Sequence, residues 1–178
     1  MMTRRKRPSD KKPLINKPMQ SSRSGAVTLT LPQALQQAMA AYRRGDWAEA
    51  ERLCRLVLNA KPNYFGALNL LGIIAAQSQR VQEAAELLAK AVVINPNDAS
   101  AHSNRGNVLR DLKRYEEALA SFDRAIAITP DYADAYNNRG NVLINLKRFE
   151  DALASYDRAI HLKPDYADAH GNRGSALK

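Results

Sequence analysis

Apolar positions recur in a fixed arrangement from Leu31 to the end of the chain. Between Ala133 and Leu146, Ala135, Tyr136, Gly140, Val142 and Leu143 follow the three-and-four spacing of a helix that hides one face. A second stripe, Phe149, Ala152, Leu153, Tyr156, Ala159 and Ile160, predicts another helix from Phe149 to Leu162. Pro164 then ends it, because proline disfavours the α region for the residue before it. The preceding stretch, 99–132, agrees with 133–166 at 23 of 34 places, and Pro62, Pro96, Pro130 and Pro164 stand 34 apart. The frame divides the chain into units 31–64, 65–98, 99–132 and 133–166, with a fifth begun at 167–178. A period of 34 built from two helices predicts an all-α solenoid of antiparallel helix pairs.

The small residues of the frame predict where helices cross. Gly140, Ala152 and Ala159 have counterparts in Gly106, Ala118 and Ala125, then Gly72, Ala84 and Ala91, and less regularly Ala38, Ala50 and Val57. A bulky side chain at such a crossing costs about 1–3 kcal/mol through overpacking. Tyr136, Phe149 and Tyr156 are expected to fill the volume that remains.

A large residue, glycine or alanine, aromatic, alanine, aromatic, alanine and proline in this order resemble the tetratricopeptide repeat family. The resemblance covers residues 31–178 and is strongest in the units starting at 99 and 133. It is looser in 31–64, where Gln37 and Cys54 stand at positions usually apolar or aromatic. It implies a right-handed superhelical solenoid whose first helices line a concave groove. One departure recurs: Arg105, Arg139 and Arg173 replace a leucine common in the family, and are expected to lay their stems along the core.

Charge changes the picture at one end only. Residues 1–25 carry eight basic residues (Arg4, Arg5, Lys6, Arg7, Lys11, Lys12, Lys17, Arg23) against one acid, Asp10, and so hold +7 of the net +9. That segment lacks periodicity and contains Pro8, Pro13 and Pro18, so it reads as a disordered basic tail preceding a repeat region at 26–178. Its charge suits a weak contact with an anionic partner, nucleic acid or a membrane surface. It has no aromatic residue to stack on bases, and a solvated leader fits the composition as well. With a single cysteine, Cys54, no intrachain disulfide can form, which suits a reducing, cytoplasmic setting.

Candidate chemistry is sparse. The chain has no G-x-x-x-x-G-K, G-x-S-x-G or H-E-x-x-H motif. His102 and His170 lie two periods apart at the place of Tyr136, which makes them packing residues rather than a metal pair. Glu116, Glu117, Glu150 and Asp151 sit near helix starts, where negative charge is favoured. Asp123–Arg124 and Asp157–Arg158 read as a solvated face. No catalytic residue, cofactor or metal is expected, and the chain reads as no enzyme.

The expected function is a protein-protein interaction scaffold that binds an extended peptide segment in the concave groove. Asn104 with Asn107, Asn138 with Asn141, and Asn172 repeat on the first helices. Their amides offer donors and acceptors to a peptide backbone, in a ladder similar to that of O-linked N-acetylglucosamine transferases. Amides at these places can equally bridge neighbouring helices. Ser100, Ser103 and Arg110 become Asp134, Asn137 and Ile144 in the next unit, on the side expected to face the partner. In family members that hold acidic C-terminal peptides, a clamp of cations accompanies two asparagines. Asn107 and Asn138 match those asparagines, but Asn69, Ser103, Ser100 and Asp134 stand where the cations belong, so that ligand is not expected. An alternative is the substrate-recognition region of a larger glycosyltransferase, since the chain stops inside a fifth unit. The oligomeric state is open.

Overall fold

The computed structural model describes residues 29–177; the basic segment 1–25 lies outside them. Among the described residues the chain forms nine helices: α1 (Leu31–Arg43), α2 (Trp47–Ala60), α3 (Phe65–Gln77), α4 (Val81–Ile94), α5 (Ala99–Asp111), α6 (Tyr115–Ile128), α7 (Ala133–Asn145), α8 (Phe149–Leu162) and α9 (Ala167–Ala176). First helices start 34 residues apart throughout. The first helix of the fourth unit ends at Asn145, one residue before the expected Leu146.

Each turn within a pair is closed by backbone alone. The amides of Asp46, Arg80, Arg114 and Arg148 donate to the carbonyls of Ala41, Ala75, Leu109 and Leu143, five residues back. This Schellman-type closure needs a left-handed residue, and Gly45, Gln79, Lys113 and Lys147 take it, with φ of 80°, 61°, 59° and 58°.

The helices stack as antiparallel pairs in a right-handed superhelical solenoid. Each second helix packs on its own first helix and on the next unit's first helix. First helices also touch one another across units (α1 with α3, α3 with α5, α5 with α7, α7 with α9), whereas second helices do not. The first helices therefore form the inner wall.

The small residues sit where the pairs cross. A Cβ added at Gly72, Gly106 or Gly140 would lie 2.7, 2.8 or 2.5 Å from Leu88, Phe122 or Tyr156, sixteen residues later in each case. Those side chains and the alanines Ala84, Ala118, Ala125, Ala152 and Ala159 are almost fully buried. Phe149 departs from expectation: it is 47% exposed rather than filling the core. As the first residue of α8 it borders an open cavity against α7 and α9, while its counterpart Tyr115 packs onto the cluster that Leu146 also covers. No helix of the described residues is long and apolar enough to cross a membrane.

Candidate functional site: the inner face

Asn104, Asn107, Asn138, Asn141 and Asn172 come together on three consecutive parallel helices of the inner wall, α5, α7 and α9. Part of each amide's capacity serves the fold. Asn104 Nδ2 donates to Asn69 Oδ1 at 3.5 Å, and Asn172 Nδ2 donates to Asn137 Oδ1 at 3.0 Å. These bonds span 35 residues and tie successive first helices. Asn138 Oδ1 accepts from Asn137 Nδ2 at 3.4 Å, and Asn141 Oδ1 accepts from the Tyr156 hydroxyl at 2.8 Å. Burial pushes that hydroxyl's pKa up to about 12, so it stays a donor.

Asn107 differs. Among the described residues its Oδ1 is buried without a hydrogen-bond partner, because Phe122 stands where Tyr156 supplies a hydroxyl in the next unit.

The positions expected to vary with the partner divide into two sets. Ser100 and Asp134 are exposed, and Arg110 is half-buried with its guanidinium on Asp111 at 3.0 Å. Ser103 and Asn137, only 3% and 4% exposed, lie in the seam between first helices, so their side chains face a neighbouring helix rather than an open surface. Asp134 also lies beside the hydroxyl of Tyr166, whose pKa is pushed up to about 12 by burial and then by that carboxylate.

Between α7, α8 and α9 a cavity of about 530 Å³ opens, lined by amides of Asn141, Asn145 and Asn172 and by Ile144, Phe149 and Tyr156. It mixes apolar surface with hydrogen-bonding groups, as a side-chain pocket does.

Arginine heads carry a role that spacing did not reveal. Arg139 donates to Ser155 Oγ of its own unit at 2.7 Å and to Asp123 of the preceding unit at 2.6 Å. Arg105 reaches Ser121 Oγ at 2.8 Å, and Arg173 reaches Asp157. Asp123 and Asp157 are thus inter-unit partners, not merely a solvated face. The signal was in the sequence: each acid precedes its arginine by 16 residues. His102 and His170 each place Nε2 near the carbonyl of the proline six residues earlier, at 3.1 and 2.9 Å. Cys54 is buried, and burial raises its thiol to about 12, which keeps it protonated.

A superhelix of helix pairs with an amide-lined inner wall defines an interaction repeat protein, and the comparisons give the family. Family models described as tetratricopeptide repeat match residues 35–99, 87–120 and 133–166, and one described as TPR repeat matches 106–147. Together they run unbroken from 35 to 166, and the chain belongs to the tetratricopeptide repeat family. It serves as a scaffold for protein interactions.

Among solved structures it is similar to MamA, 29% identical with a TM-score of 0.74 over 79% of this chain and 82% of that one. YrrB, described as a TPR protein with an unusual peptide-binding site, is 24% identical with a TM-score of 0.74, covering 82% and 75% of the two chains; it shares the fold. The UDP-N-acetylglucosamine–peptide N-acetylglucosaminyltransferase of Caenorhabditis elegans is 36% identical over 78 residues. That match is 44% of this chain and 7% of the enzyme's length.

Proposed function

We propose that the inner face binds an extended segment of another protein, held main chain to side-chain amide. The observation that carries this reading is the pattern of amide groups the fold leaves unengaged. Asn104 and Asn172 use their NH2 groups in helix-to-helix bonds and keep Oδ1; Asn138 and Asn141 use Oδ1 and keep NH2. An extended backbone presents N–H and C=O in alternation, so acceptors and donors spread over three helices suit it without selecting its side chains. Ser100, Asp134 and Arg110 then flank the track as side-chain contacts. The peptide-binding site of YrrB, on the same fold, agrees with this reading. The division into a basic segment, 1–25, and a repeat region, 26–178, belongs to the same proposal.

The test is an array of unstructured peptides of varied sequence probed with the whole chain and with Asn138→Ala/Asn172→Ala. Loss of two net hydrogen bonds at about 1 kcal/mol each weakens binding about tenfold or more across unrelated peptides. Unchanged binding overturns the proposal.

A second reading has one observation in its favour, the 78-residue likeness to a peptide glycosyltransferase. In that reading the groove guides a protein substrate toward a catalytic domain outside these residues. Coding DNA that runs on past Lys178 into a sugar-nucleotide-binding domain supports it, and a stop codon there overturns it.

A further inference from the structure

The inner face is graded along the solenoid. Met39 and Ile73 hold the places of Asn107 and Asn141, and Leu70 holds that of Asn104 and Asn138. Of these Met39 is 41% exposed and Leu70 is buried, while Gln36, at the place of Asn104 in the first unit, is an exposed amide, so the first two units mix one exposed apolar residue with polar ones. The third to fifth units are amide-lined. Charge follows the same axis. Asp131, Asp134, Asp165 and Asp168 stand where earlier units carry Asn63, Gly66, Asn97 and Ser100. Among the described residues these four carboxylates enter no ion pair, whereas Asp111, Glu117, Asp123, Asp151 and Asp157 each have an arginine.

We propose that the chain's own residues 4–19 dock in this groove in cis, as an internal ligand that a foreign segment must displace. The inference rests on the groove reading above and adds the occupant. Its grounds are order, charge and reach. The first helices run parallel and begin on one edge, so the point where the segment joins α1 and the four aspartates share that edge. Counted back from Leu31, the segment presents Met19, Ile15 and Leu14, then Lys12 and Lys11, then Arg7 to Arg4. Along the groove the exposed apolar Met39 comes first and the four carboxylates come last, in the same direction. Helices in contact lie about 8–10 Å apart, so the three steps from α1 to α7 cover about 30 Å. Nine residues of extended chain, from Leu14 to Arg5, also cover about 30 Å. Pro8 and Pro13 favour the extended form that such a track accepts.

The test uses the whole chain with Thr3→Cys carrying a nitroxide label. Cys54 does not compete for the label, being buried with its thiol at about 12. Side-chain amide signals of Asn138, Asn141 and Asn172 should lose most of their intensity while those of Gln36 and Gln37 keep theirs. The loss should reverse in Asp134→Asn/Asp168→Asn and in 1 M salt, where charges are screened beyond about 3 Å. Equal intensity at all sites overturns the proposal. So does loss transferred from a labelled, NMR-silent chain to an unlabelled partner, which assigns the segment to a second copy.

Peptides from the array should bind about tenfold tighter to Arg4→Ser/Arg5→Ser/Lys6→Ser/Arg7→Ser, because a groove occupied nine-tenths of the time weakens its ligand by that factor. Peptide binding that depends on Asn138 and Asn172 but ignores these four charges overturns docking and leaves the groove reading standing. Label-induced loss without any peptide binding supports docking and removes the groove reading instead.

Discussion

Units 99–132 and 133–166 share 23 of 34 residues and the same helix pair, yet their inner walls are in different chemical states. In the later unit Tyr156 holds Asn141 in one orientation; in the earlier one Phe122 leaves Asn107 Oδ1 buried and unpaired. In the later unit Arg139 ties its own α8 to the preceding α6. Arg105 reaches only within its own unit, because Ala89 stands where Asp123 stands in the next. The shared residues set helix spacing, and a few differing ones set which groups are left for a partner. Substituting one unit toward the other separates these effects.

The largest effects come from the aromatic plugs. Phe122→Ala and Tyr156→Ala should each cost about 3–5 kcal/mol, since both side chains are fully buried against a glycine. Tyr156→Ala should fall at the upper end because it also strands the Asn141 acceptor. Equal costs by chemical denaturation would remove the hydroxyl from the account. Next come the glycines. Gly106→Ala and Gly140→Ala should each cost about 1–3 kcal/mol through contact with a ring. Gly174→Ala, with nothing within 4 Å of its added Cβ, should instead stabilise α9 by up to about 1 kcal/mol. Thermal melts of the three variants test that change of sign.

Period and small residues made the architecture legible, because a 34-residue repeat has to place Gly140 and Ala152 at the same crossing in every unit. The inner face was legible only in part. Asn104 and Asn172 stand on the first helices α5 and α9, whereas Ser103 and Asn137, which the same spacing put beside them, lie in the seam. One helix's periodicity says which side a residue is on and nothing of how near the neighbouring unit comes. Phe149 misled for the same reason. The pairs Asp123–Arg139 and Asp157–Arg173 were hidden because their partners belong to different units, a relation that no stripe within one helix encodes.

The hydroxyl difference can be reversed in either direction. Phe122→Tyr should stabilise the chain by about 1 kcal/mol, giving the buried Asn107 oxygen a donor. Tyr156→Phe should cost about 1–3 kcal/mol by creating the same orphan. Asn107 and Asn141 side-chain NMR signals should exchange character between the variants; unchanged signals refute the pairing.

His102, where the later unit has Tyr136, adds a dependence on pH. Burial lowers its pKa below 6.5, so the folded state disfavours the charged ring. Its contribution is complete above pH 6.5 and is lost as pH falls through that value toward the lower folded pKa, because the unfolded chain then binds the proton more readily. In His102→Tyr the melting temperature should fall less between pH 7 and pH 5.5 than in the parent chain. An identical fall assigns the loss to other groups.

The smallest effect should come from Ala89→Asp, which offers Arg105 the inter-unit partner that Asp123 gives Arg139. Arg139 is a quarter exposed and Asp123 half exposed, so the pair is largely screened by water. An ion pair of that kind is worth about 0–1 kcal/mol. Its consequence should therefore be seen less in total stability than in the coupling between units. In Ala89→Asp, amide hydrogen exchange should slow at the α4–α5 junction and stay unchanged at α7–α8. Slowing spread evenly over the chain would mean that the aspartate stabilises α4 alone, and that the arginine's reach across units contributes nothing to cohesion of the solenoid.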